Sequence, residues 1–202
     1  IGQSQMKSEI NYTFAKALRT FLRQDPEVIL VGEIRDQETG NIAVEAALTG
    51  HLVCSTLHTN SSVETITRLV NMGIPNYLIS SSVSLVIGQR LARKICQKCK
   101  IEDKNSSAKL LKQMKLPSDL NPMVGKGCKE CNNSGYKGRQ GIYEILKITE
   151  DLQDGILKNL TIPEMESVAK KEGFLSMQEV GAGYIREGLL SLEEYQRTLF
   201  IS

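Results

Sequence analysis

Apolar residues in the first half of the chain form short continuous runs that alternate with helical stripes. Residues 28–31 are four consecutive apolar residues, three of them β-branched, and the run ends at Gly32. Such a run predicts a strand that is buried on both faces of a sheet. Residues 51–57 form a similar run. The pattern therefore predicts two buried strands in this part of the chain.

Amphipathic segments separate and flank the two predicted strands. Three of them predict helices: residues 11–24, 38–48 and 61–72. Asn11 is the expected N-cap of the first helix, and Ser61 begins a capping box at the third. A further helix is expected to start at Pro75 and to run to the basic residues 90–94. Strands and helices that alternate at short spacing are typical of a parallel α/β fold.

The sequence changes character at Cys96. Residues 96–140 are rich in Lys, Gly, Asn and Cys, whereas residues 141–148 predict a single strand. Two capping boxes mark helix starts further on: Thr161 to Glu164 and Ser191 to Glu194. Residues 150–202 carry apolar stripes that need a partner surface. This region is therefore expected to pack against the sheet or the cysteine-rich segment.

Four of the five cysteines form two CxxC pairs, Cys96 with Cys99 and Cys128 with Cys131, separated by 28 residues. Each short turn can present two thiolates to one tetrahedral Zn²⁺ ion, so the spacing predicts a structural zinc site. A redox dithiol pair, an iron–sulfur site and disulfides are the alternatives. The pattern supplies no His, no Glu and no open coordination position, so a catalytic zinc is not expected. The fifth cysteine, Cys54, is predicted to be a small core residue.

Polar residues with catalytic potential flank the predicted strands. Glu33 and Asp36 follow the first strand at its carboxyl end, where open α/β sheets bind their ligands. His51 and His58 lie at opposite ends of the second strand, about 23 Å apart at about 3.3 Å per residue, and are not expected to share a metal. His58 follows the same sheet edge as Glu33 and is the better candidate for contacting a phosphate. A core strand with a charged turn and a structural histidine are the alternatives.

Composition places the chain among ordinary globular proteins. It has 202 residues, 41% of them hydrophobic, and a net charge of +2. The Lys and Arg residues are spread along the chain, which gives no case for a nucleic-acid partner. No apolar run approaches the roughly 18 residues of a membrane span. Five cysteines without a signal peptide indicate a reducing, cytosolic setting, and a chain that starts at Ile1 is expected to be a piece of a longer protein.

Several ordered segments resemble the hexameric ATPases of type II secretion and type IV pilus assembly, the GspE/PilB family. Residues 28–36 resemble the Walker B box of that family, residues 50–60 its His box, and the two CxxC pairs its metal-binding domain. Three further segments are similar to the family sequence: residues 1–5, 14–26 and 138–145. The resemblance covers nearly the whole chain and is weaker after residue 150.

The resemblance implies an α/β fold, namely the C-terminal part of a RecA-like P-loop ATPase domain with a tetracysteine zinc sub-domain and a C-terminal helical region. The implied domains are the ATPase core over 1–94, the zinc sub-domain over 95–140, and the strand return with the helical region over 141–202. The implied zinc ligands are the four paired cysteines: Cys96, Cys99, Cys128 and Cys131. ATP and Mg are implied for the longer parent protein.

The resemblance also implies roles for residues near the nucleotide. Glu33 would activate the attacking water or act through the magnesium, and His58 would sense the γ-phosphate. Three residues would support the nucleotide site: His51, Arg35 and Asp36. Arg35 and Asp36 are expected to stabilise the turn, with a salt bridge as one way of doing so.

The family's phosphate-binding Walker A motif, GxxxxGK[ST], does not occur in this sequence and is expected upstream of Ile1. The chain alone is therefore predicted to be inactive. The parent is expected to be a cytoplasmic homo-hexamer, peripheral to the inner membrane, that hydrolyses ATP and contacts a membrane platform protein and other secretion or pilus components. The alternatives are a retraction ATPase, although these generally lack the four cysteines, a competence or DNA-transfer ATPase, and a non-catalytic zinc-containing interaction module.

Overall fold

The protein structure is a computed structural model that describes residues 2–104, 108–114 and 116–200. Strands and helices alternate in its first half: α1 (Phe14–Phe21), β1 (Val28–Val31), α2 (Gln37–Leu48), β2 (Leu52–Ser55), α3 (Ser62–Asn71) and α4 (Asn76–Ser82). The second half continues with β3 (Leu85–Ile95), β4 (Lys100–Glu102), α5 (Ala108–Gln113), β5 (Met123–Gly125), β6 (Tyr136–Lys147), α6 (Glu150–Leu157), α7 (Ile162–Lys171), α8 (Met177–Arg186) and α9 (Leu192–Leu199). Short 3₁₀ turns cover Ser8–Ile10, Leu22–Gln24 and Lys129–Cys131.

The chain divides into two units. The first consists of Ile1–Val86 with Leu146–Gly173, and the second of Ile87–Ile145 with Phe174–Ser202. These limits differ from those of the three domains expected from the sequence, whose boundaries stay a prediction. None of the helices in the described part of the chain has both the length and the hydrophobicity that crossing a membrane requires.

Strands β1 and β2 pair in parallel, with Val28 opposite Leu52 and Val31 opposite Ser55. Helices α1 and α2 cover one face of this pair, where Ile29 and Val31 are buried among alanine and leucine side chains. The prediction that the strand is buried on both faces is wrong, because Val28 and Leu30 on the other face are 62% and 75% exposed. Successive side chains of a strand point to opposite faces, and the residues that the structure describes cover only one of them.

The same uncovered face explains a second error. Cys54 pairs with Leu30 in the sheet register and is exposed, so it is not the core residue that the sequence indicated. Its position in an apolar run gave the right element but not the right face. A continuous apolar run carries no signal for which of its two faces this chain covers.

Of the two caps predicted in this part of the chain, Ser61 is confirmed and Asn11 is shifted. Asp36 and Ser61 cap α2 and α3, since their side chains accept hydrogen bonds from the N3 backbone amides. The first helix is capped by Thr13 and not by Asn11, which has a positive φ of 56° and lies in the turn before the helix. Asn tolerates this left-handed conformation better than most residues, so Asn11 serves the turn instead.

The helix predicted from Pro75 to residues 90–94 is wrong beyond Ser82. Helix α4 ends there, Val83 is already extended, and β3 follows. Strand β3 pairs with β6, and hydrogen bonds beyond the two ends, from Cys96 N to Gly135 O and from Ile148 N to Ser84 O, show an antiparallel arrangement. The β-branched residues Val83, Val86 and Ile87 favour a strand once that partner is present.

Helices after residue 150 pack as expected. In the first unit, α6 packs against α4 and α7 against α3. In the second unit, α8 and α9 share a core with Ala92 and Ile142 of the β3–β6 sheet. The contact between α8 and α9 is close, because a Cβ on Gly181 would lie 2.8 Å from the ring of Tyr195.

The capping boxes at these helices differ from the prediction in one place. The predicted box from Thr161 to Glu164 is present, and a further box joins Ser176 to Glu179. At α9 only half of the predicted box forms, since Ser191 Oγ accepts from Glu194 N while the Glu194 carboxylate binds arginines. The Glu194 carboxylate thus binds Arg93, which is distant in the chain, and not the backbone amide of Ser191.

Candidate functional site

A carboxylate lies at the carboxyl edge of the parallel β1–β2 pair. Glu33 follows β1, and its side chain is 20% exposed. Its Oε2 lies 2.5 Å from Arg35 Nε and 3.5 Å from His58 Nε2. The carboxylate is thus largely covered, whereas the imidazole, which is 85% exposed, faces the solvent. The predicted pairing of Glu33 and His58 at one sheet edge is present, as expected for residues that follow adjacent parallel strands.

Thr56 fixes the backbone around Glu33 and was missed by the sequence analysis. Its hydroxyl donates to the Gly32 carbonyl at 2.7 Å. Its own carbonyl accepts a hydrogen bond of 3.1 Å from Ile34 N. Glu33 is therefore held between two anchored residues. A hydroxyl residue directly after a strand was a weak signal, since Thr and Ser are common at such ends for purely local reasons.

Loop 58–61, which carries His58, is tied to α3. Thr59 Oγ1 and Thr65 Oγ1 lie 2.8 Å apart, and Asn60 N donates to Glu64 Oε2 at 3.1 Å. These contacts hold the loop against the first turn of the helix. The imidazole itself remains accessible from the solvent beside Glu33.

The three predicted supporting residues lie in different places. Arg35 is beside Glu33, with which it forms the ion pair described above. Asp36 caps α2 by accepting from Thr39 N at 2.8 Å, so it orients the helix that follows the site. His51 lies at the start of β2, with its Nδ1 2.9 Å from the Ala46 carbonyl. Arg35 and Asp36 thus stabilise the turn separately, and His51 is at the strand end opposite to His58.

A second candidate site lies in the other unit, where the four paired cysteines meet. Their sulfur atoms all lie within 4.8 Å of one another. The distances are 3.9 Å for Cys96 to Cys128, 3.9 Å for Cys99 to Cys131 and 3.8 Å for Cys128 to Cys131. Disulfide sulfurs are separated by about 2.05 Å. The four thiols are free, so the disulfide alternative does not apply.

The sulfur separations fit a single tetrahedral metal ion. A Zn–S bond of about 2.3 Å in a regular tetrahedron places its sulfurs about 3.8 Å apart. The observed separations agree with that value, and several metal ions between the sulfurs would hold them further apart. Four thiolates in a tetrahedron suit zinc or a single iron. The cluster can therefore hold a metal ion.

Backbone amides favour thiolates in this cluster. Burial opposes ionisation of Cys131, but amides of Cys128 and Gly135 together with neighbouring thiols lower its pKa to about 6. Burial raises the pKa of Cys99 to about 12, and the neighbouring sulfurs add to this despite an amide from Gly127. Without a cation, ionisation of Cys99 is therefore opposed by burial and by the neighbouring sulfurs. A divalent metal offsets this effect because it compensates the charge directly.

The turns around the cysteines depend on glycine. Gly135 has a positive φ of 75°, and a Cβ on Gly125 would lie 2.0 Å from its carbonyl oxygen. Lys126 N, next in the chain, donates to the Cys99 carbonyl at 3.1 Å. The two CxxC turns are thus brought together by a backbone crossing that no side chain could enter.

Comparison with known proteins gives consistent matches. The family model described as "Type II/IV secretion system protein" matches residues 1–197. The chain is 47% identical to the type IV pilus assembly ATPase PilB of Pseudomonas aeruginosa, over 98% of this chain and 35% of that protein. It is 45% identical to the type II secretion system ATPase E of Vibrio cholerae, over 98% of this chain and 39% of that protein. The chain thus spans well under half the length of these relatives.

Solved structures with the same fold include two ATPases. The pilus retraction motor PilT with bound ADP is 29% identical and has a TM-score of 0.64, over 92% of this chain and 43% of that chain. The ATPase DotB of Legionella pneumophila is 26% identical and has a TM-score of 0.63, over 96% of this chain and 44% of that chain.

Proposed function

Because this chain belongs to the type II/IV secretion system protein family, we propose that it is the C-terminal part of an ATPase that powers pilus or pseudopilus assembly. The chain has the α/β fold of the C-terminal part of a RecA-like P-loop ATPase domain, with a four-cysteine cluster and a C-terminal helical region. The observation that carries the proposal is the pair of Glu33 and His58 at the carboxyl edge of two parallel strands.

Glu33 would polarise the attacking water or act through the magnesium ion. Phosphoryl transfer depends mainly on positioning and on neutralising charge, and a carboxylate held by anchored backbone meets the first need. Arg35 keeps this carboxylate in place through its ion pair. The exposed His58 contacts the γ-phosphate, while Asp36 and His51 support the surrounding helix and strand.

The experiment is an ATPase assay of the longer parent protein with Glu33→Gln. This change removes the charge and keeps the shape, so ATP binding should persist while kcat falls by about 100-fold or more, as expected for loss of a general base. Glu38→Gln is the matched control, since Glu38 is an exposed carboxylate in α2 that pairs with Arg19. Equal rates for the parent and the Glu33 variant would overturn the assignment.

The 202-residue chain by itself should neither bind ATP tightly nor hydrolyse it, because the GxxxxGK[ST] motif is absent from its sequence. ATP turnover by this chain that depends on Glu33 would mean that the nucleotide site is elsewhere. The four cysteines favour an assembly motor over a retraction motor, since retraction ATPases of this lineage generally lack them. In the parent we propose a cytoplasmic homo-hexamer, peripheral to the inner membrane, that pushes against a membrane platform protein.

We further propose that the metal is zinc, held by Cys96, Cys99, Cys128 and Cys131. Bound there, it supplies a structural cross-link between the two CxxC turns. Metal analysis of protein purified without chelator should find one zinc per chain, and X-ray absorption should give Zn–S distances of about 2.3 Å. Protein that contains iron instead, or no metal, would contradict this assignment.

A further inference from the structure

A fully buried carboxylate lies in the first turn of the last helix. Glu194 in α9 is 0% exposed. Its Oε1 accepts a hydrogen bond of 2.7 Å from the backbone amide of Arg93, and its Oε2 accepts one of 2.8 Å from the Arg93 side-chain Nε. Arg197, one turn further along α9, binds both carboxylate oxygens. Glu194 therefore joins α9 to the end of β3 by binding both the backbone amide and the side chain of Arg93.

Other contacts join the loop before α9 to the same strand ends. Ile95 N, at the end of β3, donates to the Leu189 carbonyl at 2.9 Å. At the start of β6, the hydroxyl of Tyr136 lies 2.9 Å from Ser191 Oγ. The guanidinium carbon of Arg93 lies 4.1 Å above the centre of the Tyr136 ring, so the two strand ends also contact each other there. The seat of α9 is thus built from both strands.

These strand ends lead directly into the cysteine cluster. Cys96 follows Ile95 in the chain, and its amide donates to the Gly135 carbonyl at 2.9 Å. Gly135 precedes Tyr136 and also offers its amide to the sulfur of Cys131. The spacing of the two strands at this point therefore sets where two of the four sulfurs lie. It also sets where Arg93 and Tyr136 meet α9.

We propose that Glu194 is a positioning residue for the metal site, and that metal binding and the docking of α9 stabilise each other. The inference rests on the proposal that the four cysteines bind zinc. A metal ion that holds the two CxxC turns together holds the strand ends at the spacing that α9 requires. Conversely, a docked α9 holds the strand ends ready for four thiolates to reach one ion. Linkage of this kind is reciprocal by thermodynamic necessity.

The first experiment measures zinc release from the zinc-loaded 202-residue protein to a chromogenic chelator at pH 7. Glu194→Gln should speed release by about tenfold or more, the lower end of the effect of removing supports around a metal site. Glu187→Gln is the matched control, because it removes the same charge from the same unit at an exposed position. Its release rate should stay within about twofold of the parent, as expected for an exposed surface change.

A milder variant keeps the test valid if Glu194→Gln does not fold. Tyr136→Phe removes the hydroxyl that contacts Ser191 and Glu193 and keeps the ring beneath Arg93. It should speed zinc release by about threefold to tenfold, as expected for the loss of the hydrogen bonds of one hydroxyl group. Release rates equal to the parent for every variant that folds would overturn the inference.

The second experiment tests whether zinc stabilises the docking of α9. It measures hydrogen exchange of the unsubstituted 202-residue protein with and without zinc. Removing zinc should raise exchange in α9 by about tenfold or more, and α3 in the first unit is the internal reference. Unchanged exchange in α9 would overturn the linkage while leaving zinc binding intact. If the protein binds no zinc at all, the metal proposal and this inference fail together, so the two failures are distinguishable.

Discussion

Replacing Glu194 by Gln is the perturbation whose effect on stability can be worked out best from this structure. The substitution keeps the size and most of the shape of a side chain that is 0% exposed. It removes the negative charge that two guanidinium groups share. The side chains of Arg93 and Arg197 are 43% and 47% exposed, so water can still solvate them after the change. The main loss is therefore the attraction, with little added cost from stranded charges.

The size of this loss of stability follows from the pKa of Glu194. Burial acts to raise this pKa, but hydrogen bonds from Arg197 and Arg93 outweigh it and lower the pKa from 4.5 to about 2. The ionised form is thus favoured in the folded state by about 3 kcal/mol, at about 1.4 kcal/mol for each tenfold change in the proton equilibrium. Glu194→Gln should lower the free energy of unfolding of the second unit by about 3 kcal/mol at pH 7.

The pH dependence has a defined sign. Since the folded pKa lies below the unfolded one, the stabilisation is fully present above about pH 4.5 and is lost as the pH falls towards 2. The difference between parent and Glu194→Gln should therefore be constant from pH 7 to pH 5. It should shrink in more acidic solution, because the parent loses its advantage as the carboxylate takes up a proton.

The assay is urea denaturation in the presence of zinc, followed by near-ultraviolet circular dichroism of tyrosine. Four of the six tyrosines lie in the second unit, so this signal reports mainly on that unit: Tyr136, Tyr143, Tyr184 and Tyr195. Glu187→Gln, at an exposed position of the same unit, is the control and should cost less than about 0.5 kcal/mol. A cost below about 1 kcal/mol for Glu194→Gln at pH 7, or equal costs for both variants, would refute the reasoning.

Three further predictions test other parts of the fold. Gly125→Ala should lower the zinc content of the purified protein, because its Cβ would overlap the Gly135 carbonyl. Gly138→Ala meets open space, and it should cost about 1 to 2 kcal/mol in a thermal melt because the backbone φ there is positive. Leu30→Asp on the uncovered face of β1 should reduce self-association of the chain in analytical ultracentrifugation, and a parent that is already monomeric would contradict this. Asn76→Ala removes hydrogen bonds that tie α4 to the end of α6, and it should lower the stability by about 1 to 3 kcal/mol in thermal denaturation. An unchanged melting temperature would contradict this.

Local signals in the sequence were enough to predict where most of the helices and strands lie. Apolar runs located β1 and β2, and Ser61 and Thr161 begin helices as the capping patterns predicted. These signals work because a cap or an apolar run depends on residues that are close in the chain. The CxxC spacing likewise predicted the four-cysteine cluster, since each pair of thiols is brought together by its own turn.

The candidate site at the sheet edge was predictable in outline only. The strand ends placed Glu33 and His58 at one edge, and the structure brings them to 3.5 Å. Thr56, which anchors the backbone on both sides of Glu33, could not be recognised, because its role depends on pairing between two strands. The catalytic roles of Glu33 and His58 stay predictions.

The sequence by itself determined which segments are apolar, where most helices start, and which thiols can share a metal. Only the tertiary structure decided between helix and strand at residues 83–95, since β3 forms by pairing with β6, far along the chain. It also decided that one face of β1 stays uncovered, and that Glu194 binds Arg93 in place of completing its own cap. Each of these outcomes is set by the free energy of contacts between distant segments, and a local pattern carries no information about that free energy.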